Sequence, residues 1–341
     1  MIGKCIAFAV PLLPCFAFGA DPSVNLSVQI IPVASGPTPP IAAQTVGFTT
    51  IALNADFTQP LPTNWLGGCP NGPDGSATNT NDDTGHIWYN AIWWDKAEPC
   101  TSKQLADPKY GGTTLDIPWP VHYDASTSNG HGMQTASWNW PLPASGSPSV
   151  GFSAPNSAYY EITARNEPAA DSNVMNFITW AATGITGGDA GIEWDVMEMS
   201  GLGGGDGAIH NWGAGGTGGW MWTTFNAQGA GNDILHADPS YDPAKYNTYG
   251  LRTVSDGTNL RWCTYINNHL IRCGDLPGGL TAAEKNQRLF VLPGTACYPG
   301  NNNYSCPLEG QTQHIYIRSI RVFSCASWTA TECNLSSIPG P

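Results

Sequence analysis

"GIEWDVMEMSG", residues 191–201, places three carboxylates (Glu193, Asp195 and Glu198) within six residues of a chain that is only 11% charged. Like charges this close raise one another's pKa and cost stability. The crowding therefore points either to open water or to a site that uses the repulsion. Ile192, Trp194 and Val196 alternate with Glu193 and Asp195, the period-two signature of a strand with one buried face. A helix would scatter the acids, because at about 100° per residue positions 193, 195 and 198 share no face. On a strand, Glu193 and Asp195 point the same way while Glu198 has the opposite parity, and a single β-bulge near Met197 restores it. The competing reading is an edge strand that turns its acids to solvent.

The sequence around this stretch reads as strands throughout. "VGFTTIALNADF" (46–57), "HIWYNAIWWDK" (86–96), "TTLDIPW" (113–119), "SAYYEITARNEP" (157–168) and "VMNFITWAA" (174–182) precede it. "YGLRTV", "LRWCTYIN", "HLIRC", "RLFVLP" and "HIYIRSIRVF" follow, separated by Gly, Pro, Asp and Asn. Only "LTAAEKNQ" (280–287) offers about two turns of helix. The aperiodic "LGGCPNGPDGSATNTNDDTG" (66–85) is expected to be a loop. The glycine tract "GLGGGDGAIHNWGAGGTGGW" (201–220) lacks the Gly-Lys-Ser/Thr ending of a phosphate loop and is expected to be a long flexible loop bordering a site. The pattern predicts an all-β chain built as one sandwich.

The termini and the totals narrow the setting. Lys4, an apolar run from Cys5 to Phe18, and small residues up to Ala20 read as an export leader over residues 1–20. Residues 21–45 read as an extended arm, 46–326 as the folded domain and 327–341 as a tail. No later stretch reaches about 18 unbroken apolar residues. Two of the ten cysteines lie in the leader. The even remainder in an exported chain implies disulfides, with sequence neighbours such as Cys69–Cys100 and Cys263–Cys273 as the default pairs. A two-residue turn at Asn267-Asn268 would pair 263 with 272, so the second bridge requires a longer turn or a bulge. No spacing of Cys or His suggests a transition-metal site. The net charge of -13 makes nucleic acid and anionic membrane poor partners, although a local basic patch can override the average. Fourteen tryptophans in a glycine- and proline-rich chain suit exposed aromatic surface and neutral partners.

Taken in order, these segments resemble glycoside hydrolase family 16. "EWDVME" (193–198) fits the two-residue, bulged form of that family's Glu-x-Asp…Glu signature. "LNADFTQPLPTNW" (53–65) is similar to its opening Asp-Phe followed by Trp, and "YYEITARNE" with "FITW" to the strands before the acids. "YNTYGLR" and "LRWCTYINNHLIR" resemble its later hairpin, and "IYIRSIRVF" its closing strand. Asn247 stands where the family often has His, and Asn267-Asn268 where it often has Asp-Gly. The resemblance implies a jelly-roll β-sandwich of two curved antiparallel sheets with a concave substrate cleft. It also implies a secreted, monomeric enzyme that acts on polysaccharide and needs no organic cofactor. The family admits a structural calcium, for which this sequence names no ligands.

By the same resemblance Glu193 is a nucleophile, Glu198 a general acid/base and Asp195 the residue that orients Glu193. Same-facing strand positions lie about 6.6 Å apart, so two Glu side chains can lean together over one sugar. That geometry suits retaining hydrolysis, whose carboxyls sit about 5–5.5 Å apart. An ionised Glu193 would raise Glu198 and keep it protonated. Trp180, His210 and Trp212 are the expected substrate contacts, Trp194, Val196 and Ile192 are expected in the core, and Glu161 and Arg165 are expected to form a structural ion pair or strand surface. The expected activity is endo-hydrolysis of a β-1,3- or mixed β-1,3/1,4-glucan. Agarose-like galactan or xyloglucan, transglycosylation, and a non-catalytic carbohydrate-binding module are the alternatives.

Overall fold

The structure, a computed structural model, describes residues 36–60, 77–81, 87–89, 96–97, 102–118, 129–132, 135, 152–155, 157–167, 175–182, 192–200, 204–211, 220–226, 233–276, 288–297, 314–329 and 333–339. Residues 37–341 form one compact unit. In chain order its strands are β1 (Thr50–Asp56), β2 (Ala77–Asn81), β3 (Ile87–Tyr89), β4 (Lys96–Ala97), β5 (Lys103–Ala106) and β6 (Thr113–Pro118). Next come β7 (Asn129–Gly132), β8 (Ala154–Pro155), β9 (Ala158–Glu167), β10 (Met175–Ala182), β11 (Ile192–Ser200), β12 (Gly204–Asn211) and β13 (Trp220–Asn226). The series closes with β14 (Asn247–Ser255), β15 (Leu260–Ile266), β16 (His269–Asp275), β17 (Arg288–Leu292), β18 (Gly294–Cys297) and β19 (His314–Ser324). The helices are α1 (Ile41–Gln44) and α2 (Asp233–Ala237). Among the described residues, no helix is long and apolar enough to cross a membrane.

Two antiparallel sheets carry the architecture, a jelly-roll sandwich. The eight-stranded sheet runs β16-β15-β14-β9-β19-β6-β5, with β1 also paired to β19, and the six-stranded sheet runs β13-β12-β11-β10-β17-β8. One core cluster takes residues from both. Tyr160, Ile162 and Ala164 of β9 and Leu251 of β14 meet Trp194 and Val196 of β11, Ile209 of β12 and Val291 of β17. Alternation explains most of the choice: on β9 the intervening residues Tyr159, Glu161 and Thr163 take the other face. Where alternation breaks, a bulge repairs it. "IYIRSIRVF" buries Ile315, Ile317, Ile320 and Val322 in the same cluster because the β19–β9 register shifts between Ile317 and Ser319.

The outer face of the eight-stranded sheet is also covered. Ala43, Val46 and Phe48 pack with Tyr159, Val254, Tyr265, Phe323 and Cys333, and Leu335 and Ile338 join them. The expected arm thus contains a one-turn helix, begun after Pro40 and left at Gly47, whose φ of 77° suits glycine. No apolar repeat marks so short a helix, because its packing against the sheet holds it. Cys325 and Cys333 are bridged, as are Cys263 and Cys273. The hairpin behind the second bridge has a two-residue turn, Asn267-Asn268, with both φ values positive (51° and 65°). This is the backbone that primed turns require and that Asn tolerates. Ile266 faces His269, and a register shift between Thr264 and Tyr265 then sets Cys263 opposite Cys273. The bulge required for that pairing is present. Cys69, Cys100, the 280–287 helix and the leader lie outside the described residues.

Two local expectations change. The 66–85 loop holds a strand, β2, paired with β3, which its Asn and Thr content concealed. Glu161 and Arg165 are structural but are not each other's partners. Arg321 faces Glu161 at 3.6 Å, whereas Arg165 forms a fork with Asp107 at 2.8 and 2.9 Å. Arg165 also lies 3.9 Å above the Tyr316 ring. Asp107 further accepts from the Tyr246 hydroxyl and from the backbone N–H groups of Lys109 and Tyr110. Burial alone would raise the Asp107 carboxyl, but Arg165, Tyr246 and those amides outweigh it and hold it well below the ordinary carboxylate range.

Candidate active site

β11 is an interior strand, hydrogen-bonded to β10 on one side and β12 on the other. An edge strand with solvated acids is therefore not what this stretch forms. Glu193 and Asp195 are 7% and 2% exposed, yet neither belongs to a hydrophobic cluster, while Trp194 between them is fully inside the core. Both acids sit on the face of the six-stranded sheet that turns away from the core, under cover. Val196 and Met197, consecutive in sequence, both lie in the core cluster. Two neighbours on one face mark a bulge.

The registers locate it. Against β12, Asp195 faces Ala208 and Glu198 faces Asp206, so two residues of β11 oppose Gly207 alone. Against β10, Trp180 faces Asp195 and Phe177 faces Glu198, with register shifts between. Position 198 thereby regains the parity of 193 and 195. Val196 and Met197 are apolar, so the core accepts both, and their burial offsets the ladder bond that the extra residue forgoes.

Directly opposed positions share a face of the sheet, with Cα atoms about 4.5–5.5 Å apart. The ladder therefore builds three rows. Ala182, Glu193, His210 and Met221 form the first, and Trp180, Asp195, Ala208 and Thr223 the second. Phe177, Glu198, Asp206 and Asn226 form the third. Backbone register thus brings positions 180, 193, 195, 198 and 210 to one patch of one face. Trp212 lies outside the described residues. Among the described residues, no group of three or more His, Cys, Asp or Glu is placed to hold a metal ion.

Asp206 is the addition that the sequence reading passed over. It stands across from Glu198, a fourth carboxylate position in the patch. The tract expected to be a loop is a strand from Gly204 to Asn211, paired on both sides. Glycine removes the side chains that display a period of two. Only Asp206, Ala208 and His210, alternating with Gly207 and Ile209, carried the signal.

No family model matches the chain. No curated protein matches it either. The chain is similar to solved glycoside hydrolases. A family 16 enzyme of Bacteroides ovatus, solved with a product bound, is 16% identical over 67% of this chain and 86% of that one, with a TM-score of 0.44. The catalytic domain of an endo-1,3-β-glucanase (laminarinase) from Thermotoga petrophila is 15% identical over 81% of this chain and 98% of that one, with a TM-score of 0.42. An endo-β-galactosidase from Clostridium perfringens is 13% identical over 82% of this chain and 62% of that one, with a TM-score of 0.45.

Proposed function

We propose that this chain is a secreted, retaining endo-glycosidase that cleaves a β-linked polysaccharide. The observation that carries the reading is the bulge at Val196-Met197, which aligns a third acid position with two covered acids on an interior strand. A module that only binds sugar has no use for that arrangement, and covered like charges are costly to keep without one. In this reading Glu193 attacks the anomeric carbon while Glu198 gives its proton to the leaving oxygen. Glu198, now ionised, then takes a proton from the water that opens the glycosyl-enzyme. Asp195 lies between them in the strand and orients Glu193. Asp206, across the ladder from Glu198, adds negative potential that favours its protonated form. His210 flanks the nucleophile and Trp180 offers an aromatic face to a sugar ring. The scheme needs no organic cofactor.

The chain's net charge of -13 favours a neutral polymer, and a β-1,3- or mixed β-1,3/1,4-glucan is the substrate class we assign. Reducing-end release by the purified protein on laminarin, lichenan, carboxymethyl cellulose, xyloglucan, agarose and carrageenan tests this. Release confined to laminarin and lichenan fits. Release only from agarose or xyloglucan moves the substrate, and no release from any polymer, or equal release by Glu193→Ala, overturns the activity.

A further inference from the structure

Behind the eight-stranded sheet, on the side of the sandwich remote from Glu193, lies a cleft with a cavity volume of about 790 Å³. Its floor is the outer face of the sheet: Glu161 and Thr163 of β9, Thr248 and Arg252 of β14, Tyr265 of β15 and Arg321 of β19. Its roof is the segment from Thr38 to Thr45, with Pro339 at the rim. The volume falls within the range of small-molecule sites, roughly 300–1,000 Å³.

Arg252 lacks an ionised acceptor among the described residues. It is 5% exposed, and among those residues its Nε has no hydrogen-bond partner. Its Nη1 reaches the Ala42 carbonyl and the Thr45 hydroxyl at 3.3 Å each, and its Nη2 reaches only the sulfur of Cys263 at 3.2 Å. These acceptors are neutral, and the bonds are long. Glu161, the carboxylate in the cleft, faces Arg321, which also donates from Nε to Asn54. A guanidinium removed from water without an ionised acceptor is costly, and a carboxylate held in the cleft that Arg252 lines would supply the missing opposite charge. The remaining lining suits hydroxyl groups. Thr163 and Thr248 share a hydrogen bond at 3.2 Å, leaving donor and acceptor capacity unused. Burial raises the Tyr265 hydroxyl's pKa, so it stays a neutral donor beside the ring that Arg252 overlooks at 5.8 Å.

We propose that this cleft is a second binding site, for a polyhydroxylated carboxylate of the hexuronic acid class. Arg252 takes the carboxylate, and the Thr163–Thr248 pair and Tyr265 take ring hydroxyls. The assignment does not depend on the glycosidase reading. It also places a local attraction for acidic sugars on a chain whose average charge repels them.

Calorimetric titration of the full chain with trigalacturonic acid, its neutral trimethyl ester and acetate tests it. The acidic trimer is expected to bind at one site, more weakly as salt rises, and to bind equally to Glu193→Ala. Neither the ester nor acetate should match it. Arg252→Lys, which keeps the charge but loses the planar guanidinium, should weaken binding by about tenfold or more. Should that variant misfold, Thr248→Val decides, with an expected loss of about threefold or more. No binding of the trimer, equal binding of the ester or acetate, or unchanged affinity in the folded variants overturns the proposal.

Discussion

Replacing Asp107 by alanine strands a guanidinium. Arg165 is 1% exposed and its side chain forks onto Asp107, which is itself fully covered. Removing one partner of a buried pair costs about 3–5 kcal/mol, because the other charge is left behind. Two contacts soften the loss here. Glu167, half-exposed, keeps its bond to Nη1 at 2.8 Å, and Tyr316 keeps its ring beneath the cation. The lower end, about 3 kcal/mol, is therefore expected, a fall of roughly 5 °C in Tm for a unit of this size. Lys245→Ala is the control. Its pair with Asp242 at 3.4 Å is open to water, and its loss should cost below about 0.5 kcal/mol.

The pH dependence has a definite sign. The folded Asp107 carboxyl lies below its ordinary value, so its contribution is complete above the unfolded value of about 3.9 and is lost as pH falls towards the folded one. The gap between wild type and Asp107→Ala should stay constant from pH 7 to pH 5 and shrink below about pH 4. Thermal unfolding followed by circular dichroism at pH 7, 5 and 3 reads both. A pH 7 difference within about 1 °C of the Lys245→Ala control would refute the argument that this pair is buried and unreplaced.

Glu193→Ala and Glu198→Ala should each lower kcat by about 10³-fold or more with Tm retained, since the proposed mechanism has each group act in the transition state. Azide should restore part of the Glu193→Ala activity on an activated substrate, and retention of a tenth of wild-type turnover in either variant contradicts the roles. Proton NMR in the first minutes of hydrolysis should show the β-anomer first, and an initial α-anomer excludes a glycosyl-enzyme and the short carboxyl separation it implies. Gly250→Ala should cost about 1–3 kcal/mol, because a Cβ there meets the hydroxyl and, at 2.7 Å, the Cζ of the buried Tyr159. Urea midpoints that match wild type would mean that the ring moves freely.

Much of the acid strand could be read from residues alone because its neighbours are large and apolar. Trp194, Val196 and Met197 declare which face is buried, and the misplaced parity of Glu198 then demands the bulge that is found. The Cys263–Cys273 hairpin was legible for the same reason, since one parity conflict admitted few repairs. β12 was hidden, because ladder bonds belong to the backbone and glycine shows no face. Arg165 could not be matched to Asp107, which lies 58 positions away. The covering of the outer sheet by residues 41–48 and 333–339 follows from tertiary contact, not from any local pattern.

β19 lies between β9 and β6 and also pairs with β1, joining Thr50 to Ser324. As the chain leaves the ribosome, β1, β6 and β9 all emerge before the strand that joins them. Even β9, the last of the three, waits for the roughly 150 residues between it and β19, about 8–30 s at ordinary elongation rates. An unpaired strand edge is a template for the wrong partner. Until β19 arrives the nascent chain cannot close its larger sheet, so the last long strand to be made decides when that sheet becomes a single body.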